Sequence, residues 1–303
     1  MASFGLKVIR GVFGAAELVA PRLSGRAAFE LFCRTPNVKA LSDGERRAVE
    51  RAAGFMAEAR HHRLKTKTDC VAVHEFRPEP GRGSHGTVLV IHGWRSRTEY
   101  MRALIEGFRG AGYKVVSLDL PGHGHSLGRH LNMVTAVDAA RVAGEWFGPF
   151  VAAVGHSFGG AIAANAVAAS VKGVPPLSAE KLVLIAAPSS MPAIFDDFSR
   201  MMNVGPRSRI AMADRVKHLS GRPLSEFTGD RQLAEAPVPT LVIHAPDDRE
   251  VSADHATRYV GAGDHVSLHW ADGLGHRRIL ADKGVVEHAV RFAIGHGEST
   301  LMH

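Results

Sequence analysis

The sequence predicts an α/β fold: a mostly parallel, twisted sheet of about eight strands, with helices on both faces and a small helical lid. Three observations predict it. From Thr87 onward, short apolar runs alternate with helical segments in a β-α-β-α rhythm. The runs are almost continuously apolar, as strands covered on both faces must be. Third, the apolar run Phe150–Val154 leads through Gly155-His156-Ser157-Phe158-Gly159-Gly160 into the apolar stretch Ala161–Ala169. That is a strand, a tight turn and a buried helix centred on one serine.

The elements follow in order. Residues 1–32 carry apolar side chains at helical spacing, interrupted by Lys7, Arg10, Arg22 and Arg26, with Pro21 separating two helices. Ser42–Arg60 reads as a helix, because Ser42 and Glu45 form a capping box. His62–Thr68 and Cys70–Phe76 read as two antiparallel strands that open a mixed sheet. Pro78–Ser84 is a turn. Thr87–His92, Lys114–Asp119, Phe150–Val154, Lys181–Ala186, Thr240–His244 and Val266–His269 are the remaining strands. Glu99–Ala111, Met133–Phe147, Asp254–Gly261 and Lys283–Ile294 are helices between and after them.

The rhythm breaks over Pro188–Pro237, which separates two strands expected to be neighbours. An insertion there lies above the carboxyl ends of the strands, where such sheets bind ligands. It reads as a lid. Met191, Phe195, Phe198 and Met202 are its candidate substrate-binding residues, the last three at i, i+3 and i+7 on one helical face. The expected organisation is a basic helical extension over 1–60, a core over 61–187 and 238–303, and a lid over 188–237.

Composition narrows the class. The 303 residues carry 37 Lys and Arg against 30 Asp and Glu, a net charge of +7. Residues 1–70 hold 13 basic and 7 acidic residues, so +6 of that charge belongs to the N-terminal segment. No nucleic-acid module accompanies it, and no nucleic-acid partner is expected. Cys33 and Cys70 are the only cysteines, too few for a disulfide framework. The 18 histidines are scattered, with no H-E-x-x-H or C-x-x-C, and no metal is expected. The apolar stretch after Arg10 is short and contains Glu17, which argues against a signal peptide and a membrane span. Two roles fit residues 1–32: a basic amphipathic segment touching a membrane surface, or an arm packing on its own domain or a second subunit. Packing is favoured, since moderate amphipathicity is ordinary for a surface helix. The expected location is the cytoplasm, with membrane association as the alternative.

The turn at Ser157 nominates a chemistry. Glycines on either side let strand and helix pass closely, so the serine hydroxyl stands exposed at a helix N-terminus. The same turn aims the Phe158 N–H at any oxyanion formed there. Attack of an activated hydroxyl on a carbonyl carbon is the chemistry implied.

With these residues in hand, residues 60–300 resemble the α/β-hydrolase superfamily, and specifically its lidded serine esterases and lysophospholipases. Gly155–Gly159 is similar to the G-x-S-x-G elbow. His92-Gly93-Trp94 resembles the H-G-x oxyanion loop, which implies the Trp94 N–H as a second oxyanion donor. Asp119–Ser126 is similar to the D-x-x-G-x-G-x-S supporting loop; His123 and His125 in it read as surface histidines on a glycine turn. His244–Val251 resembles the H-G-x-x-D-x-x-V acid turn, with Ala245 where glycine is usual, and its register implies Asp248 rather than Asp247. His276, after the last strand, matches the family's histidine; His269 lies within a strand and fits less well. The resemblance implies a Ser157–His276–Asp248 triad that hydrolyses carboxylic esters with apolar acyl groups through an acyl-enzyme, with no cofactor and a small-molecule ester as partner. The same triad also serves thioesterases, lactonases and carbon–carbon bond hydrolases. A reading of another class is a non-catalytic homologue that docks a membrane or a partner.

Overall fold

The computed structural model describes residues 4–37 and 40–295. Eight strands form one sheet: β1 (Arg60–Lys65), β2 (Cys70–Phe76), β3 (Thr87–Ile91), β4 (Lys114–Leu118), β5 (Ala152–His156), β6 (Leu182–Ile185), β7 (Thr240–His244) and β8 (Val266–Trp270). Their spatial order is β1-β2-β4-β3-β5-β6-β7-β8. β1 and β2 run antiparallel, β2 pairs β4 antiparallel, and every later pairing is parallel.

Alternation along the strands divides the core into two layers. Leu89 and Ile91 of β3 face one layer; Val88 and Val90 face the other. The first layer holds helices Met133–Phe147 and Phe158–Val167, the second Arg102–Gly110 and Lys283–Ile294. The expected capping box is present: the Ser42 Oγ accepts the Glu45 N–H, and the Glu45 carboxylate accepts the Ser42 N–H at 2.8 Å. The helix it starts ends at Arg51, and a short second helix, Ala53–Ala57, carries the chain to β1.

The first 60 residues do not pack as one unit. Phe55 and Met56 join the second core layer, where Phe55 stacks on Phe76 at 4.7 Å. Helices Phe4–Val19 and Pro21–Cys33 go to the opposite face and pack on the insertion, which forms helices Met191–Met202 and Pro206–Ser220. Gly25 permits the closest approach: a Cβ there would stand 2.2 Å from the Ser208 carbonyl oxygen. Glu17 caps helix Pro206–Ser220 from outside, its carboxylate accepting the N–H groups of Arg207 at 2.8 Å and Ser208 at 3.0 Å. Burial opposes charge on Glu17, but these bonds and the Ser208 hydroxyl outweigh it and hold the carboxyl below its usual range. An acid at a helix N-terminus also gains from the helix dipole.

The order of β4, β3 and β5 creates a switch point. The chain leaves β3 toward β4 on one side and returns to β5 on the other, so the loops at their carboxyl ends part. A crevice opens there, the usual ligand site in such sheets.

Candidate active site

Ser157 stands in that crevice, at the end of β5. Its backbone has φ +53° and ψ −128°, a strained conformation for a residue with a side chain. Such strain costs about 1–3 kcal/mol and persists only where neighbours enforce it. Here the Ser157 N–H donates to the Ile185 carbonyl at 2.8 Å, and the Gly160 N–H donates to the Ser157 carbonyl at 2.9 Å. The flanking glycines are steric necessities. A Cβ on Gly155 would lie 2.4 Å from the Gly159 carbonyl, and one on Gly159 would lie 2.2 Å from the Ile91 oxygen.

Two more strand ends complete the polar line. The Ser157 Oγ lies 3.0 Å from His276 Nε2, and His276 Nδ1 lies 2.7 Å from Asp248 Oδ2. Asp248 follows β7 and its side chain is fully buried. Its other oxygen accepts the N–H groups of Glu250 at 2.8 Å and Val251 at 3.0 Å. Burial works against its charge, but the bond from His276 and these two amides hold its carboxyl below the usual range. Asp248 therefore stays an acceptor toward His276, which places the imidazole proton on Nδ1 and leaves Nε2 free to accept from the serine. Asp247 points elsewhere: it accepts the Gly275 N–H at 3.3 Å and steadies the loop that carries His276. His269 stacks on His288 at 4.3 Å, away from this line.

The turn after β3 faces the serine. A Cβ on Gly93 would stand 2.8 Å from the Ser157 Cβ, so only glycine allows this approach. His92 is fully buried; its Nδ1–H donates to the Gly93 carbonyl at 2.8 Å and its Nε2 accepts the Leu120 N–H at 3.1 Å. That bond turns the Gly93 carbonyl aside. The backbone N–H groups of Trp94 and Phe158 have no acceptor among the described residues. Unpaired donors beside a strained serine are an arrangement that can hold a developing oxyanion.

Two histidines in this machinery escaped the sequence reading. His123 is buried rather than a surface residue. Its Nδ1–H donates to the Pro121 carbonyl at 3.0 Å, and its Nε2 accepts the Arg95 N–H at 3.1 Å, holding Arg95 at φ +56°. Burial, with His92 nearby, pushes its pKa down to about 4, so it is neutral and can accept. His156, inside the elbow, donates from Nε2 to the His276 carbonyl at 2.8 Å. Burial and the neighbouring His276 lower its pKa to about 3. The glycine turn explained His123 without reference to the loop it supports, and His156 occupies an unrestricted motif position. His125 is half-exposed, as expected, and bonds Asp119.

Asp119 has the supporting role expected of it. Its buried carboxylate accepts from the Thr98 N–H and hydroxyl on one oxygen, and from the His125 N–H and His74 Nε2–H on the other. Burial opposes the charge, yet the bonds from His125 and His74 bring its pKa well below the usual range. Among the described residues, His74, Asp119 and His125 are the one group whose ligand atoms could converge on a metal, lying within 4.8 Å of one another. Bonds from His74 and His125 on one oxygen and Thr98 on the other already satisfy the carboxylate. Cys33 and Cys70 are both free thiols.

A cavity of about 470 Å³ runs from Ser157 beneath the inserted helices, a size that takes drug-sized ligands. Met191, Phe195 and Phe198, three of the four expected substrate-binding residues, line it. Met202 does not. The lining face of its helix runs through Ile194, Phe198 and Met201, and Met202 lies one position around, buried in the core. Helix Pro21–Cys33 supplies part of the wall through Phe29, Phe32 and Cys33. Phe32 packs on Phe195 at 4.6 Å and edge-on to Phe198 at 5.2 Å. Each such aromatic pair contributes about 0.5–1.5 kcal/mol beyond area burial. These wall residues were unassigned in the sequence because their periodicity says only that a helix packs, not on what.

Residues 88–288 match the family model described as the alpha/beta hydrolase family. The chain belongs to that family. A comparison with curated proteins finds no match. Among solved structures, the α/β hydrolase is similar to a membrane phospholipase A described as a bacterial virulence factor, at 19% identity and a TM-score of 0.60, over 95% of this chain and 96% of that one. Naproxen esterase from Bacillus subtilis matches at 14% identity and TM-score 0.56, over 82% of this chain and 98% of its own. The thioesterase domain of the curacin biosynthetic pathway matches at 15% and 0.53, over 78% and 99%. At these identities the likeness is one of fold. A match over 95% of 303 residues leaves about 15 unmatched, so the phospholipase likeness extends into the N-terminal helices.

Proposed function

We propose that this α/β hydrolase is a serine hydrolase that cleaves carboxylic esters with apolar acyl groups through an acyl-enzyme. The observation that carries the reading is the unbroken line Ser157 Oγ, His276 Nε2, His276 Nδ1, Asp248 Oδ2, at 3.0 and 2.7 Å, beside unpaired N–H groups. His276 takes the serine proton as Oγ attacks the ester carbonyl. Asp248 holds the imidazole tautomer and stabilises the imidazolium. The tetrahedral oxyanion is held by the Trp94 and Phe158 N–H groups, a contribution of roughly 3–4 kcal/mol per donor in comparable sites. His276 then returns the proton to the departing alcohol. Water, deprotonated by the same histidine, attacks the acyl-enzyme; His276 then returns that proton to Ser157 Oγ as the bond to the serine breaks and the acid leaves.

The cavity supports an apolar acyl group. Phe29, Phe32, Phe195, Phe198, Met191 and Met201 dominate its wall, and methionine adapts to chains of differing shape. The inserted helices and the N-terminal helices together act as the lid over it. The test is hydrolysis of p-nitrophenyl esters, from acetate to laurate, by the wild type and Ser157→Ala. Turnover by the wild type alone, with an optimum beyond acetate, supports the proposal. A folded wild type that turns over no ester and does not react with a fluorophosphonate overturns it. Fluorophosphonate labelling without ester turnover keeps the nucleophile and moves the substrate to a thioester, a lactone or a carbon–carbon bond.

A further inference from the structure

The helix Phe4–Val19 is apolar on two faces, and only one is used. Phe13 is buried in the core, and the Arg10 guanidinium donates to the Met201 carbonyl at 2.6 Å on the same side. At about 100° per residue, Leu18, Phe4, Ala15, Val8, Val19 and Val12 fall within an outward arc of about 120°. All six are exposed, Phe4 and Val19 each to 84%, and no charged residue lies in the arc. A helix that only packs on its own domain needs one apolar stripe, and such a second stripe marks an interaction surface.

The charges around it say what kind. Lys7 borders the arc, and Arg22 and Arg26 stand one turn apart on the next helix beside the exposed Leu23. None of the three cations forms an ion pair among the described residues. The nearby acids are engaged elsewhere: Glu17 caps helix Pro206–Ser220, and Glu30 pairs with His130 at 3.3 Å. An exposed apolar stripe bordered by Lys7, with two further free cations exposed on the next helix, complements an anionic lipid surface. A second copy fits less well, because a two-fold interface would bring the same cations of both copies together. Among the described residues no helix is long and apolar enough to cross a membrane.

We propose that the outward face of Phe4–Val19, with Lys7, Arg22 and Arg26, docks this protein on anionic bilayers, lying on the surface rather than spanning it. The position has a consequence, which rests on the ester-hydrolase reading. Arg10 on the inward side of the same helix holds Met201, which lines the cavity, so a docked protein keeps the cavity one helix diameter, roughly 10 Å, from the lipid that would supply an apolar ester.

Vesicle flotation tests this without reading turnover. The full chain is floated with phosphatidylcholine vesicles, with and without phosphatidylglycerol, beside the variants Val12→Glu/Val19→Glu and Lys7→Glu/Arg22→Glu/Arg26→Glu. All these positions are exposed, so thermal melting and p-nitrophenyl butyrate hydrolysis should match the wild type. Wild type should bind anionic vesicles, and each variant should bind about tenfold or more weakly, since each cation near an anionic surface contributes about 1 kcal/mol. Absence of binding to anionic vesicles overturns the proposal. So does unchanged binding by Val12→Glu/Val19→Glu. A dimer in sedimentation that this variant dissociates, with vesicle binding intact, assigns the face to a second copy instead. Flotation without ester hydrolysis leaves docking standing and counts only against the ester substrate.

Discussion

Replacing Asp248 by asparagine should disable the site through a proton's position rather than through shape. Asp248 uses one oxygen for the Glu250 and Val251 N–H groups and the other for His276 Nδ1. The turn amides need an acceptor, so the asparagine carbonyl must stay with them. Its NH₂ then faces His276 Nδ1, which must accept, and the imidazole proton moves to Nε2. That proton points at the Ser157 Oγ, and the base can no longer take the serine's proton. Flipping the amide would restore the tautomer only by facing two backbone N–H groups with NH₂, a cost of roughly 1–3 kcal/mol for each unsatisfied donor. The expected loss in kcat is about 10⁴-fold, or about 5.5 kcal/mol, as for the equivalent change in other serine hydrolases. Saturation kinetics with p-nitrophenyl butyrate measure it, and KM should stay near the wild-type value. Asp247→Asn is the control: its amide oxygen can still accept the Gly275 N–H, so the loss should stay below about tenfold. More than about a tenth of wild-type kcat in Asp248→Asn, or equal losses in the two variants, would mean that the Asp248 carboxylate does not set the His276 tautomer.

His123→Ala should lower kcat/KM by roughly 10- to 100-fold, less than removal of a whole oxyanion donor, because it frees the Arg95 N–H and loosens the turn that presents the Trp94 N–H. Unchanged kcat/KM would leave His123 a packing residue only. Gly25→Ala places a Cβ against the Ser208 carbonyl and should destabilise by about 1–3 kcal/mol, lowering Tm. It should also shift the acyl-length optimum, since helix Pro21–Cys33 carries Phe29 and Phe32; an unchanged optimum would detach that helix from specificity. Acid should destabilise the protein well above the carboxylate range. His123 and His156 titrate near 4 and 3 when folded against about 6.5 unfolded, so protons bind the unfolded chain first. Their stabilisation is complete above about pH 6.5 and is lost as pH falls toward about 4, roughly 3 kcal/mol from His123 alone. His125, half-exposed and shifted upward by its bond to Asp119, offsets part of this. Tm should be level from about pH 7 to 8 and fall by pH 5; a level profile to pH 5 would contradict the neutral, buried state of both rings.

The inner strands β2 to β7 were legible in the sequence because they are buried on both faces. Helix Met133–Phe147, strand Thr240–His244 and helix Lys283–Ile294 have the bounds that periodicity and caps predicted. The elbow strand slipped: Phe150–Val154 was expected, and β5 runs from Ala152 to His156. Phe150 instead bridges Ala179 outside the sheet, and the strand continues through the motif glycine up to the serine. Asp248 could be told from Asp247 by the register between His244 and Val251. That register has a physical basis, since His244 Nε2–H donates to the Val251 carbonyl at 3.0 Å and closes the turn. The cavity was half legible. Met191, Phe195 and Phe198 lie on a readable stripe, but that stripe is wider than the cavity, and its edge at Met202 turns into the core. Phe29 and Phe32 lie more than a hundred residues from Ser157, and only tertiary packing brings them over it.

Whether Ser157 is a nucleophile activated by His276 can be read by mass spectrometry after fluorophosphonate treatment. One adduct per chain is expected, mapped to the peptide containing Ser157, absent in Ser157→Ala and formed far more slowly in His276→Ala. A folded protein with no adduct, with the adduct on another residue, or with labelling unaffected by loss of His276 would contradict it.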